Sequence, residues 1–208
     1  MERSINSFLP FKLGGKKENN RDHFQYRLLQ QFGHSSCYRK LMENFDKDII
    51  ILENTSLNHQ FYATRTKSLM KRYGKPLYNI SHKHGEHRIR ILFYKRIIED
   101  QKVRLEFHFC DDKLFYYSYT FPYLSDEEKN KFMDQIGKKY GLDQTDLKVK
   151  CIEDPDGIRL HLSDSLGLCL KYLDNNAAFL DFLKHHRFNN GSTRSSISKK
   201  LNDLSHLF

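Results

Sequence analysis

A chain of 208 residues that is 38% hydrophobic and 13% aromatic is too apolar to stay disordered and long enough to bury a core without staples. Its 35 Lys and Arg outnumber 26 Asp and Glu, and the resulting formal charge of +9 favours nucleic acid, anionic membrane surfaces or acidic proteins without choosing among them. No apolar stretch approaches a membrane span, and the start MERSINSFLPFKLGGKK has too short an apolar run for a secretory signal, so cytoplasmic residence is the expectation.

Residues 1–21 read as a flexible arm, with Ile5, Phe8, Leu9, Phe11 and Leu13 as anchors ahead of the polar run from Gly14 to Asn20. A globular α+β domain is expected over 22–187, mainly helical to residue 73 and built from an antiparallel sheet with helices over 77–187. It opens with a small helical hairpin. Phe24, Leu28 and Phe32 form the stripe of its first helix, and Tyr38, Leu41, Met42 and Phe45 that of its second. Ile49 to Leu52 suits a buried strand, and Thr55 or Ser56 opens a longer helix to Tyr73 with Phe61, Tyr62, Leu69 and Met70 inward.

From residue 77 the apolar period changes to two, which predicts a meander of strands near 77–82, 87–98, 102–109 and 113–121. Ser125 and Glu128 form a capping box that starts a helix carrying Phe132, Ile136 and Tyr140. Strands near 146–152, 157–163 and 167–172 follow, then a helix from Asp174 through His186. The tail 188–208 places Ile197, Leu201 and Leu204 at the spacing of a short amphipathic helix. A weak tandem repeat runs through this order, because helices ending Lys71-Arg72-Tyr73-Gly74 and Lys138-Lys139-Tyr140-Gly141 each lead into antiparallel strands. Lysine before a helix end and glycine after it also suit any helix, so the match is thin evidence for duplication.

The strands carry the functional signal. Ile89, Ile91, Phe93 and Ile97 alternate with Arg88, Arg90, Leu92, Tyr94 and Arg96, while Val103, Leu105, Phe107 and Phe109 alternate with Lys102, Arg104, Glu106 and His108. In the later strands Lys148, Lys150, Arg159 and Lys171 interleave with apolar residues in the same way. With helices packed on one face of the sheet, the other face would gather Arg88, Arg90, Arg96, Lys102, Arg104, Lys148, Lys150, Arg159 and Lys171 around Tyr94. A half-wet sheet needs polar side chains in any case, but a face that serves only solubility mixes both signs.

The function expected is therefore non-catalytic binding of an acidic macromolecule, a protein in the first instance, with the terminal arms aiding assembly. Nucleic acid is the alternative for the same face: cations would neutralise phosphates and Tyr94 would stack bases, without sequence specificity because no RNP, KH or zinc-finger motif is present. A third reading is a small-ligand protein or enzyme whose aromatic cleft is lined by Tyr117 and Tyr119 of the run Leu114 to Phe121. No catalytic motif names a residue for it. His82, His84 and His87, with Glu86, could share a metal at one turn but lack a second ligand group at diagnostic spacing, and four scattered cysteines without CxxC argue against a zinc ribbon. No cofactor is implied.

Overall fold

A computed structural model describes residues 32–33, 35–46, 48–57, 64–164 and 167–185. The arm 1–21, most of the first expected helix and the tail 188–208 lie outside the described residues, as do Phe61 and Tyr62. In chain order the elements are helix α1 (Ser35–Glu43), strand β1 (Ile49–Ile51), α2 (Thr66–Tyr73), β2 (Tyr78–His84), β3 (His87–Ile98), β4 (Gln101–Cys110) and β5 (Lys113–Phe121). They continue as α3 (Asp126–Tyr140), α4 (Gln144–Val149), β6 (Cys151–Glu153), β7 (Ile158–Asp164), β8 (Leu168–Asp174) and α5 (Ala178–His185). The strands make one eight-stranded sheet in the order β1-β6-β7-β8-β5-β4-β3-β2, antiparallel throughout except for the parallel pair β1 and β6. The fold is α+β.

Turn chemistry explains the meander. Glu99 and Asp100 between β3 and β4, and Asp111 and Asp112 between β4 and β5, all have positive φ, from 47° to 69°. Two consecutive left-handed residues are what a two-residue hairpin loop needs to match the strands' twist, and Asp tolerates that conformation better than most side chains. Between β6 and β7, the buried Asp154 carboxylate accepts from the N–H groups of Asp156 and Ile158 at 3.0 and 2.9 Å. It also accepts from Leu57 N–H at 2.9 Å, which ties the segment after β1 to this turn. The two runs of helix followed by strands meet in the middle of the sheet, where their last strands, β5 and β8, pair.

Helices cover both faces of the sheet, not one. Leu69 of α2, Met133 and Tyr140 of α3 and Leu147 of α4 pack on Leu92, Tyr94, Phe107, Tyr117, Leu160 and Tyr172. Tyr38 and Met42 of α1 and Phe179, Leu180 and Leu183 of α5 pack on Ile80, Ile89, Ile91, Phe115 and Leu173 from the other side. The physical reason lies within β3 itself, whose two phases, Ile89 and Ile91 against Leu92 and Tyr94, are both apolar and both need a cover. β5 is covered twice for the same reason. Its register irregularity opposite His108 and Phe109 lets the consecutive residues Phe115 and Tyr116 join the α1 and α5 side together.

Two local expectations are corrected. The strand expected over 146–152 is mostly helix α4, because Asp143 caps it by accepting from Asp146 N–H at 2.7 Å, and only Cys151–Glu153 extends into the sheet. The helix before the meander begins at Thr66, while Thr55 to Leu57 are not helical. The capping box of α3 forms as read, with Ser125 N–H donating to Glu128 at 2.7 Å and Glu128 N–H to Ser125 at 3.3 Å.

Gly137 gives a test of the packing around α3. Glycine in a helix interior is ordinarily improved by alanine, by about 1 kcal/mol. Here a Cβ would stand 2.5 Å from the Leu142 carbonyl oxygen, a backbone atom that also cannot swing away. Gly137→Ala is expected to lower stability by about 1–3 kcal/mol in urea unfolding, the opposite of the helix-propensity sign.

Candidate functional site

Sheet register decides where the basic side chains go. The two-residue turn at Glu99 and Asp100 pairs Ile98 with Gln101 and, counting back, Lys95 with Arg104 and Arg96 with Val103. Starting β4 one residue later, at Lys102, would have put Arg96 opposite Arg104, on one face. A shift of one residue reverses every side chain of a strand. The nine cations therefore do not share a face.

On the side covered by α2, α3 and α4 lie Arg88, Arg90 and Arg96. Arg96 is pinned there, donating to the Tyr73 carbonyl and lying 5.1 Å from the centroid of the Tyr94 ring. Tyr94 is 1% exposed and donates to the Gly74 carbonyl at 3.3 Å, so its ring has no face left for a base. Arg88 reaches Ser81 Oγ at 3.2 Å. Lys148 sits on α4 at the rim of a cavity of about 390 Å³ shared with Lys129, Asp126 and Asp164. In that cavity Lys129 is already bridged to Asp126 and Asp164 at 3.3 and 3.1 Å. Lys150 pairs with Asp146 at 2.7 Å. Arg159 is a clamp: it pairs with Glu153, reaches Asp46 at 2.9 Å and donates to the Phe45 carbonyl, holding the end of α1 against β7.

Lys102, Arg104 and Lys171 occupy the other face, the one covered in part by α1 and α5. Rows of paired residues cross it. Next to the helices runs Ile80, Ile91, His108, Tyr116, Leu173 and Arg159. The following row holds Phe93, Glu106, Ser118, Lys171 and His161, and the one beyond it Lys95, Arg104, Thr120, Cys169 and Ser163. Lys95, Lys102 and Arg104 are exposed and Lys171 is half-buried. Among the described residues none of these four cations is in an ion pair with an acid. Lys95 is the residue that sequence reasoning missed, since it falls in the otherwise apolar phase of β3; a two-residue turn over Glu99 and Asp100 was the signal that could have placed it opposite Arg104. At the tip of the hairpin, Ile97 is 71% exposed opposite Lys102, whose ammonium lies 5.9 Å from the centroid of the exposed Tyr123 ring.

The one acid in this strip is not available to neutralise it. Glu106 bonds inward to His108 Nε2 at 2.5 Å, and His108 Nδ1 meets the Tyr38 hydroxyl of α1 at 2.8 Å. The chain runs from the edge of the exposed strip into the core, because His108 and Tyr38 are both fully buried. Burial first, and then the nearby Glu106, hold the Tyr38 hydroxyl well above the ordinary tyrosine range. Beside it, His82 and His84 hydrogen-bond through Nε2 at 2.9 Å, and His84 contacts the Phe32 carbonyl at 3.1 Å. Among the described residues, the donor atoms that gather in a group of three are those of His87, Cys110 and Asp111, and His82 and His84 do not belong to it. Tyr117, one of the two expected cleft residues, is instead core: it is 1% exposed and stacks on Tyr172 at 4.5 Å and 8°, with Tyr119 half-buried against the same cluster.

No helix among the described residues is long and apolar enough to cross a membrane. Compared with family models, curated proteins and solved structures, the chain matches none.

The histidine cluster predicts an acid limit. Burial, then His84 and His108 nearby, bring His82 down to about 4 from 6.5. A base lowered in this way takes up its proton in the unfolded chain before the folded one, so its share of stability is present above about 6.5 and is lost as pH falls towards 4. The thermal midpoint is expected to drop through that window, with a shallower drop in His82→Gln. An identical pH profile in the variant would assign the acid sensitivity elsewhere.

Proposed function

We propose that this chain is a binding protein whose exposed strip of Lys95, Lys102, Arg104 and Lys171, with Ile97 at its end, engages an acidic protein. The observation that carries this reading is the directly opposed pair Lys95 and Arg104. Like charges across a strand pair repel and cost stability, so an acid is the natural occupant of one of the two positions unless the pair meets an anion. Here the nearest acid along the strand, Glu106, is turned inward to His108.

Protein is favoured over nucleic acid by what accompanies the charge. Ile97 offers an apolar anchor on the same face, and apolar anchors ringed by cations suit a protein interface. Single-strand readers depend on bases stacking on exposed aromatic rings, and Tyr94 is buried. Tyr123 beside Lys102 is the one feature that speaks for nucleic acid, and a lone ring is a small platform.

The test is capture from an extract of the native cell, with and without nuclease, by the wild type and by Lys95→Glu/Arg104→Glu/Lys171→Glu. The triple variant is expected to lose at least tenfold of a nuclease-resistant partner. Arg88→Glu/Arg90→Glu, on the opposite face, is expected to retain capture. Nuclease-sensitive capture would move the reading to nucleic acid, and unchanged capture by the triple variant would remove the strip as a binding surface.

A further inference from the structure

The three histidines grouped by sequence stay close, with His84 opposite His87 in the register, but their side chains bond to different partners. His82 and His84 bond to each other, whereas His87 opens β3 beside the turn that follows β4. Backbone pairing fixes that proximity: Ile89 stands opposite Cys110, and Asp111 N–H donates to the Arg88 carbonyl at 2.9 Å. The side chains then converge. His87 Nδ1 is 2.7 Å from Asp111 Oδ2, Cys110 Sγ is 3.6 Å from the same oxygen, and the three donor atoms all lie within 4.8 Å of one another.

We propose that His87, Cys110 and Asp111 form a binding site for a divalent transition metal of the zinc type, with water as the fourth ligand. Imidazole nitrogen, thiolate sulfur and carboxylate oxygen are the three donor types that zinc takes, and three protein ligands leave one position open in a tetrahedral site. With bonds of about 2.0–2.3 Å, ligand atoms around zinc sit roughly 3.3–3.6 Å apart. The sulfur–oxygen separation already fits, and the histidine–carboxylate contact has to open by about half an ångström.

Charge and support also fit. One thiolate and one carboxylate balance a dication. The second oxygen of Asp111 is held by Arg88 N–H at 2.9 Å, the kind of outer hydrogen bond that orients a metal-ligating carboxylate. The side chains of His87 and Asp111 are 26% and 53% exposed, which gives an ion a route in and a water its place. Burial, and then the Asp111 carboxylate, push the Cys110 thiol up to about 12, so an ion must displace its proton. Binding releases that proton to solvent, moves the His87 Nδ1 proton to Nε2, and forms one bond each from sulfur, nitrogen and oxygen as the hydrated ion gives up waters. The site lies at the strand ends opposite the Glu99–Asp100 turn and is independent of the basic strip.

Cobalt(II) is the probe, added to the full-length reduced protein, because a bound thiolate gives a charge-transfer band and four-coordination gives visible absorption. One equivalent is expected to bind and to be displaced by zinc. Cys110→Ser is expected to abolish the charge-transfer band, and Cys37→Ser/Cys169→Ser to keep it. His87→Gln, at a partly exposed position that can be checked for folding by circular dichroism, is expected to weaken cobalt binding at least tenfold, as is Asp111→Asn. Absence of the band in folded wild type, its survival in Cys110→Ser, or unchanged affinity in folded His87→Gln would each overturn the site.

Discussion

Two consecutive left-handed residues at Glu99 and Asp100 set the register between the two longest strands, and that register governs everything the sheet displays. Side chains alternate with a period of two, so the turn length alone decides whether an arginine joins a core layer or an open surface. With two residues in the turn, Arg96 goes to the side of α2 and lies over Tyr94, while Arg104 goes to the opposite side and meets Lys95. The turn at Asp111 and Asp112 does the same for β4 and β5, and leaves Asp111 beside His87.

The second consequence is a sheet buried on two sides that differ in chemistry. The core layer under α2, α3 and α4 is apolar and includes Tyr94 and Tyr172, and Arg88, Arg90 and Arg96 fall on the same side. The side under α1 and α5 carries His108, Glu106, His82, His84, His161 and Arg159 among its apolar residues. Buried polar groups are costly unless bonded, and most of these are joined in chains: Tyr38 to His108 to Glu106, His82 to His84, and Arg159 to Glu153 and Asp46. One of those chains begins on α1 and another reaches Asp46 just after it, so the small helix and the segment that follows it are held by polar contacts as well as by Met42 and Phe45.

This arrangement also concentrates the exposed charge. Because Arg159 is consumed in the clamp, the strip that the described acids leave unpaired beside it is formed by Lys95, Lys102, Arg104 and Lys171. They lie in successive rows beyond the one formed by Ile80, Ile91, His108, Tyr116 and Leu173. A basic phase spread along the whole chain thus becomes a short strip at one end of one face, with Ile97 beside it.

Local pattern was enough for the α+β class, the four-strand meander and the capping box at Ser125, since each rests on residues within a few positions of one another. It failed at 146–152, where apolar and basic residues alternate over too few positions to distinguish a strand from the one-and-a-half turns of helix that Asp143 caps. It failed on the basic face for a different reason: alternation says which residues share a side within one strand and nothing about which sides of two strands coincide. That relation is carried by turn length and register, and the partners of Tyr38, Arg159 and Asp111 come from segments far apart in sequence. The sequence determined the strands and their two phases; the tertiary pairing decided which phase faced which helix, because register is fixed only when the strands meet.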